Sequence, residues 1–346
     1  MPVKGIFQGL YKKILWRFHL TNQPVVRVYN GYGNRKHVFI YGHVFKFSPI
    51  PRKKFRGSYV INAFAVLRSF MVKPWASAKV VLIWGEQKIE NTTSSDGFFK
   101  FEWSPGVDVK SGWHPVLIEL HHPESNEIIS AGEGLVFIPH EYQYAIISDI
   151  DDTFLVSHSA RLGRRLYVLL TRNAHTRKTF EDVVKHYQLL AYAGSLQDLP
   201  NPFFYVSSSE WNLYDFILEF SRRNELPKGI LLLSQIKKWF EVFKTGQGKH
   251  SAKFMRIVRI IESFPEQKFI LLGDDSQADP DIYASIVKHF PNNIHVVYLR
   301  RIHKPNQERT LEKVNAITAL NVPCCYFEHS SEAIAHSMEL GLITSI

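Results

Sequence analysis

The chain has 346 residues, of which 45% are hydrophobic and 14% aromatic, a composition that supports packed cores and excludes disorder throughout the chain. Its formal charge of +10 at pH 7 favours anionic partners such as phosphate esters, lipid surfaces or nucleic acid. The length favours two domains. The basic residues are scattered and form no recognition motif, which argues against binding of nucleic acid. The only two cysteines, Cys324 and Cys325, are adjacent in sequence and exclude a disulfide scaffold.

Residues 1–22 predict a basic amphipathic segment. Ile6, Leu10 and Ile14 recur at helical spacing, and basic residues such as Lys12 lie between them. Such a helix can lie in a membrane interface, although packing against the protein's own body is the commoner outcome. The basic residues also interrupt any signal-peptide core, and no apolar run reaches the roughly 20 residues of a membrane span. We therefore expect a cytoplasmic protein, with peripheral binding to the inner face of the membrane as an alternative location.

Residues 23–140 predict an antiparallel β-sandwich. Short runs of aromatic and β-branched residues are separated by turn signals such as Asp96-Gly97, and a helical pattern is confined to about residues 60–70. This region contains no clustered acids, metal-ligand spacing or nucleophile, so its role stays open. The predicted strands are Val38–Phe47, Val80–Trp84, Phe98–Trp103, Val116–Leu120 and Leu135–Ile138.

Residues 141–346 predict a Rossmann-like α/β domain, because short apolar runs alternate with amphipathic helical segments. The pattern is typical of a parallel sheet with a helix between successive strands. The predicted elements include strands at Phe203–Val206, Ile230–Leu233, Phe269–Leu272 and His295–Leu299, and helices at residues 180–192, 211–222, 254–261 and 283–290.

Two acidic clusters follow predicted strands in this second half. In the segment 145–153, Asp149 and Asp151 follow a short apolar strand. Asp274 follows the strand at Phe269–Leu272, and Asp279 lies five residues later. Ligands bind at the carboxyl ends of strands in open α/β sheets, and buried carboxylates are costly unless they hold a cation or do chemistry. A structural turn is the alternative for the first cluster, and helix capping ahead of Pro280 is an equal alternative for Asp279.

Two further side chains complete a set suited to phosphoryl transfer. Ser207 follows a predicted strand and can hold a phosphate oxygen, with Ser208 as a competitor for this place. Lys253 lies at the start of a predicted helix and can neutralise a phosphoryl group, with Lys249 as its rival. Asp149 is then the nucleophile of an aspartyl-phosphate mechanism.

The remaining roles follow from the same chemistry. Asp151 acts as general acid and then base, and Mg²⁺ is held by carboxylates from Asp149, Asp151 and Asp274, with Asp279 as a further candidate ligand. The adjacent Asp275 competes with Asp279 for the role of metal support.

The motifs resemble those of the haloacid dehalogenase superfamily. The sequence Asp149-Ile-Asp-Asp-Thr153 resembles its first motif in the form typical of phosphatases, and Ser207, Lys253 and Gly273-Asp274 resemble the next three in order. More narrowly, the segments Asn201–Tyr214 and Asp279-Pro-Asp-Ile-Tyr283 resemble the catalytic domain of actin-patch-associated phosphatidate phosphatases, including bacterial members with a preceding β-rich region.

This resemblance implies Mg²⁺-dependent hydrolysis of phosphatidate to diacylglycerol and phosphate at an anionic membrane surface. It also implies a small helical, basic insert between the first and second motifs, where Arg172 is a candidate substrate contact together with Thr153 and Ser208. Two positions depart from the pattern: Asp275 stands where many relatives have Ser, and Glu210 stands where Pro is common.

Two other functions stay open from the sequence. One is a phosphatase of the same chemistry for a soluble ester, such as a sugar phosphate or nucleotide. The other is a binding or scaffold protein with a vestigial catalytic domain, against which the intact pair Asp149 and Asp151 counts. The sequence does not determine the oligomeric state.

Overall fold

The computed structural model describes residues 23–47, 72–106, 109–140, 143–149, 174–194, 199–235 and 249–343, although the side chains of residues 174–181 and 249–251 are not described. The predicted amphipathic segment 1–22, the helical pattern near residues 60–70 and most of the basic insert lie outside these residues. The described residues divide into two compact units between Ile138 and Pro139. The domain bounds 23–140 and 141–346, in the sense of independently folding units, stay a prediction.

The first unit is one curled, mixed β-sheet. Seven of its eight strands follow the order β3-β2-β1-β8-β7-β4-β5, and β6 pairs with β2 outside this path. Most neighbours are antiparallel, but β1 and β8 run parallel. Its strands are β1 (Val25–Gly33), β2 (Val38–Phe47), β3 (Lys73–Pro74), β4 (Lys79–Trp84), β5 (Gln87–Thr92), β6 (Phe98–Trp103), β7 (Gly112–His121) and β8 (Ile128–Ile138).

Curling of the sheet brings strands from distant places in its order together. The Asn91 side-chain amide on β5 donates a hydrogen bond to the Lys100 carbonyl on β6, at 2.8 Å. Alternate residues of β2, β4, β6, β7 and β8 point inward and form the core, as the period of two in these strands predicts. The core includes Ile40, Val80 and Phe101. The prediction of a β-rich first unit is confirmed, and the parallel β1–β8 pair is the detail that it lacked.

The second unit is a parallel sheet with helices between its strands, which confirms the predicted α/β class. Its six strands follow the order β11-β10-β9-β12-β13-β14. The strands are β9 (Ala145–Asp149), β10 (Phe203–Glu210), β11 (Gly229–Ser234), β12 (Phe269–Asp274), β13 (Ile294–Arg300) and β14 (Cys324–Phe327). The helices are α1 (Ala174–Ala191), α2 (Tyr214–Arg223), α3 (Lys249–Ser263), α4 (Asp279–His289), α5 (Gln307–Thr318) and α6 (Ser330–Glu339). No helix in the described ranges is long and apolar enough to cross a membrane.

Each unit buries one histidine whose pKa is strongly lowered. In the first unit, His43 packs between the Phe45 and Phe98 rings, and its Nδ1 atom lies 2.9 Å from the Tyr29 hydroxyl. Burial lowers the pKa of His43 to about 3. In the second unit, His186 on α1 hydrogen-bonds the Ser337 hydroxyl, and burial lowers its pKa to about 3. Both residues are therefore neutral in the folded protein at pH 7.

We expect the folded state to lose stability as the pH falls from about 6.5 towards 3. In this range the unfolded chain protonates His43 and His186 while the folded chain does not, and each unit of pKa difference corresponds to about 1.4 kcal/mol. Urea unfolding at several pH values measures this slope. His186→Gln should reduce the slope. An unchanged slope in His186→Gln would contradict the assignment.

Candidate active site

The predicted functional residues that the structure describes lie at or beside the carboxyl edge of the parallel sheet. Strand β9 lies between β10 and β12, with Val206 opposite Asp149 on one side and Leu272 opposite Ser148 on the other. Ser207 therefore lies one residue past the end of β9 on one side, and Asp274 lies at the end of β12 on the other. This is the edge at which open α/β sheets bind ligands.

Lys253 links two of the acidic residues. Its Nζ atom is 3.0 Å from Asp149 Oδ2, and it also forms an ion pair with Asp279 Oδ1. Asp149 is 0%, Asp279 1% and Lys253 3% exposed, so these charges interact with little screening by water. Buried charges persist when they are paired in this way, and the three side chains form one electrostatic unit at the sheet edge.

The helix that carries Lys253 is longer than the sequence pattern indicated. It begins at Lys249, so Lys253 lies in its second turn and not at its start. Lys249, the rival candidate, lies one turn earlier, but its side chain is not described. The observed contacts of Lys253 with Asp149 and Asp279 support the choice of Lys253.

Asp279 is the first residue of α4, and the residue that precedes the helix is Ala278, which makes no side-chain cap. The carboxylate of Asp279 instead contacts Lys253 and lies 3.4 Å from the Asp274 backbone nitrogen. The capping alternative is therefore not the arrangement in the structure. Asp279 is placed as a counter-ion of Lys253, and its role as a metal ligand stays a prediction.

Gly273 makes room for this arrangement. A Cβ atom at position 273 would lie 2.6 Å from Asp279 Oδ2 and 2.8 Å from the Tyr283 ring. Contacts this short force a neighbour to move. The absence of a side chain at Gly273 thus permits the close approach of β12 and α4.

We expect Gly273→Ala to displace Asp279 and to weaken its ion pair with Lys253. Overpacking of this kind costs about 1–3 kcal/mol, and urea unfolding measures the loss. Any phosphatase activity should fall by about tenfold or more, because a displacement near 1 Å can cost that much. Ser285→Ala, at an exposed position of the same helix, is the control. Full stability and activity in Gly273→Ala would contradict this account of the close contact.

Asp274 stays the predicted partner of Asp149 for a metal ion. It is 1% exposed, lies at the end of the neighbouring strand, and accepts a hydrogen bond from the Ser276 backbone at 2.7 Å. No cluster of three or more His, Cys, Asp or Glu side chains suited to a metal occurs within the described ranges. Mg²⁺ uses one or two carboxylates and keeps several waters, so Asp149 and Asp274 fit it as oxygen ligands.

Asp275 has a different environment from Asp274. Its Oδ1 atom accepts hydrogen bonds from the backbone nitrogens of Ile302 and His303, both at 2.8 Å, and its Oδ2 atom accepts one from the Tyr326 hydroxyl at 2.6 Å. These donors belong to the loop after β13 and to β14. Asp275, which stands where many relatives have Ser, therefore anchors this loop beside the candidate site.

Ser207 is fully buried on β10, which continues to Glu210, beyond the predicted end at Val206. The pairing of β10 with β11 is irregular between Val206 and Glu210, and the Ser209 backbone nitrogen donates to Ser207 Oγ at 2.9 Å. Ser208 is 9% exposed. The structure thus places both serines at the correct edge, and the choice between them stays a prediction.

Arg256 is a residue near the site that the sequence reasoning missed. Its guanidinium donates hydrogen bonds to the Ser207 carbonyl and to Ser234 Oγ, both at 3.1 Å. It therefore ties the ends of β10 and β11 to α3, the helix that carries Lys253. The available signal was spacing, because residues three apart lie on one helix face.

Two buried tyrosines also lie near the acidic residues. The Tyr283 hydroxyl donates to the Leu272 carbonyl at 2.8 Å, and the Tyr187 hydroxyl lies 2.8 Å from Ser148 Oγ. Burial raises the pKa of both phenols, and the negative charge of Asp149 raises each further. Both phenols are therefore protonated at neutral pH and act as hydrogen-bonding groups.

Three predicted site residues lie outside the described residues: Asp151, Thr153 and Arg172. The general acid and two of the proposed substrate contacts therefore stay predictions from the sequence motif.

The geometry agrees with the family that the motifs indicated. Residues 144–301 match the family described as "Phosphatidate phosphatase APP1, catalytic domain". The matched region contains Asp149, Ser207, Lys253 and Asp274, which lie at one sheet edge, and this part of the chain is similar to that family.

Two curated proteins are similar to the chain. Phosphatidate phosphatase APP1 of Saccharomyces cerevisiae is 30% identical over 160 residues, which cover 46% of this chain and 26% of the yeast protein. The uncharacterized protein C29B5.04c of Schizosaccharomyces pombe is 22% identical over 214 residues, covering 61% of this chain and 34% of that protein. The chain thus spans only about a quarter to a third of the length of these relatives.

Among solved structures, one similar chain is the carbohydrate acetylesterase XAC1771 from Xanthomonas citri. It covers 92% of this chain and 75% of its own length, with 9% sequence identity and a TM-score of 0.34. A similarity this low carries no information on activity.

Proposed function

We propose that the chain is a Mg²⁺-dependent phosphomonoesterase that acts through phosphorylation of Asp149, with phosphatidate as its substrate. The observation that carries this proposal is the buried ion pair between Lys253 Nζ and Asp149 Oδ2, at 3.0 Å, at the carboxyl edge of the sheet. A cation fixed beside a carboxylate is the arrangement needed to bring an anionic phosphoryl group to a negatively charged nucleophile.

In the first half of the proposed reaction, an Asp149 oxygen attacks phosphorus. The new bond joins this oxygen to phosphorus, the bond from phosphorus to the ester oxygen breaks, and Asp151 donates a proton to the leaving alcohol. Lys253 compensates the charge that develops on the phosphoryl oxygens, and Asp279 holds the Lys253 ammonium in place.

In the second half, water replaces the aspartyl oxygen on phosphorus. Asp151, now ionised, takes a proton from this water, phosphate leaves, and the Asp149 carboxylate is regenerated. Asp149 and Asp274 would hold Mg²⁺, which would neutralise phosphoryl oxygens and orient the substrate when bound.

The lipid substrate is supported by family and by charge. Residues 144–301 match a phosphatidate phosphatase catalytic family, and the formal charge of +10 favours an anionic surface. In this proposal the protein works from the cytoplasm on the inner face of a membrane. The basic amphipathic segment at residues 1–22 would then add to surface binding.

Release of phosphate by the full chain tests the substrate. Phosphatidate in mixed micelles and a panel of soluble sugar phosphates and nucleotides would be compared, each with Mg²⁺ and with EDTA. We expect turnover of phosphatidate that EDTA abolishes.

Each alternative function has its own outcome in this assay. Turnover confined to soluble esters would overturn the lipid substrate and favour a soluble-ester phosphatase. The absence of turnover with every ester would favour a binding protein with a vestigial site.

A further inference from the structure

Arg300 lies at the candidate site but has no role in the reaction as proposed above. It is the last residue of β13, and Asp274 on β12 is its partner in the parallel pairing. Partners in a parallel pair point to the same side of a sheet, so the Arg300 and Asp274 side chains share one side at the carboxyl edge.

The Arg300 side chain is largely buried, and its Nε atom has no hydrogen-bond partner among the described residues. Arg300 is only 8% exposed, and its Nε atom is a buried donor that makes no hydrogen bond. No carboxylate of the described residues forms an ion pair with it within 4.0 Å. A buried cation without a partner costs several kcal/mol, and such groups persist in sites where a ligand supplies the missing charge.

The surrounding charges place this guanidinium near Asp274. Burial lowers the pKa of Arg300, while the negative charge of Asp274 opposes this shift. The charges of Asp149, Arg300 and Asp274 all act on the pKa of the buried Tyr187 hydroxyl. This hydroxyl is hydrogen-bonded to Ser148, the residue before the nucleophile. Asp274 and Arg300 therefore share one side of the sheet edge, beside the strand that ends at Asp149.

The neighbouring loop is built in a way that fixes Arg300. The Arg300 carbonyl accepts a hydrogen bond from the Asp275 backbone at 3.0 Å, and the Asp275 carboxylate accepts from the backbone nitrogens of Ile302 and His303. The extra carboxylate at position 275 thus holds the chain on the C-terminal side of Arg300.

We propose that Arg300 is an oxyanion-binding residue of the active site, which donates hydrogen bonds to oxygens of the substrate's phosphoryl group and of the phosphate released. The planar guanidinium carries N–H groups in a fixed fork that matches two oxygens of a tetrahedral phosphate. Lys253 holds the phosphoryl group beside Asp149, and Arg300 binds it from the side of Asp274. This inference rests on the proposed function.

Binding of inorganic phosphate to the full chain in the presence of Mg²⁺ tests the inference without turnover. We expect Arg300→Gln to raise the Kd for phosphate by about 10- to 100-fold, the loss typical of charge-assisted hydrogen bonds. Arg300→Lys, which keeps the charge but not the fork, should give a smaller loss and guards against misfolding of the first variant. Arg301→Gln is the matched control, because Arg301 is ion-paired with Glu328 and packs over Tyr326.

Four outcomes decide the matter. Weaker phosphate binding in Arg300→Gln with unchanged binding in Arg301→Gln supports the inference. Unchanged phosphate binding in a folded Arg300→Gln overturns it, even if the wild type hydrolyses esters. A shift in the Mg²⁺ dependence alone would make Arg300 a positioning residue for Asp274 and would also overturn it. If the wild type binds phosphate through Arg300 but hydrolyses no ester, the oxyanion site stands and the proposed function falls.

Discussion

Asp149→Asn is expected to abolish phosphate release while leaving the fold intact. The amide has nearly the shape of the carboxylate, but it lacks the charge and the nucleophilic oxygen. Loss of a nucleophile of this kind typically lowers kcat by about 10⁴-fold or more. The measurement is phosphate release from phosphatidate with Mg²⁺ at saturating substrate.

The control for this variant is Asp275→Asn. Asp275 is also fully buried at the end of β12, but its oxygens are occupied by the backbone of Ile302 and His303 and by Tyr326. We expect Asp275→Asn to affect stability more than chemistry, with a fall in kcat far smaller than that of Asp149→Asn. Comparable activity in Asp149→Asn and the wild type would refute the mechanism.

Lys253→Met should be the second most damaging substitution, and it should affect both activity and stability. It leaves the buried carboxylates of Asp149 and Asp279 without the cation that pairs with both. Breaking a buried ion pair from one side costs about 3–5 kcal/mol, because the remaining charge is uncompensated. Loss of the transition-state contact should lower kcat by a further factor of about 10² to 10³.

Lys249→Met is the matched control for Lys253→Met, since Lys249 lies one turn earlier on the same helix. We expect its urea midpoint and its kcat to stay close to those of the wild type. Lys253→Met lowers stability through the uncompensated charge of the buried carboxylates, and it lowers activity through the lost contact to the transition state. The double variant Lys253→Met with Asp279→Asn removes one of these charges, so it should recover part of the stability and none of the activity. A larger loss of activity in Lys249→Met than in Lys253→Met would reverse the assignment of the lysine.

The parts of this site that depend on local pattern were predictable from the sequence. An apolar run followed by acids predicts a strand that ends at a sheet edge, and β9 and β12 end at Asp149 and Asp274. Strand β2 has the predicted bounds, Val38–Phe47, because most of its residues are aromatic or β-branched. The long, periodic segments likewise predicted helices in the correct order.

The parts that depend on long-range pairing were not predictable in this way. The parallel pairing of β1 with β8 joins residues about a hundred positions apart, and no local pattern specifies it. Strand β5 is half exposed and polar, so it carries little hydrophobic signal. Helix α3 begins at Lys249, five residues before the apolar period becomes visible at Phe254.

The roles of individual polar side chains also required the structure. The pattern Asp279-Pro280 is typical of a helix cap, yet the carboxylate contacts Lys253 from another helix. In the sequence, Asp275 competes with Asp279 for the role of metal support. In the structure, its carboxylate accepts hydrogen bonds from residues 27, 28 and 51 positions away. The only sequence signal for Arg256 was its spacing of three residues from Lys253, and Arg300 gave none, because an arginine at a strand or helix position is usually solvated.

The central claim is that Asp149 forms a covalent bond to the phosphoryl group, and an acid quench during turnover tests it most directly. Wild type and Asp151→Asn would be mixed with phosphatidate and Mg²⁺, quenched, digested and analysed by peptide mass spectrometry. We predict a phosphoryl group on the peptide that contains Asp149, at higher occupancy in Asp151→Asn because hydrolysis of the intermediate needs the Asp151 base. Turnover without a phosphoryl group on Asp149, or with the group on another residue, would contradict the account.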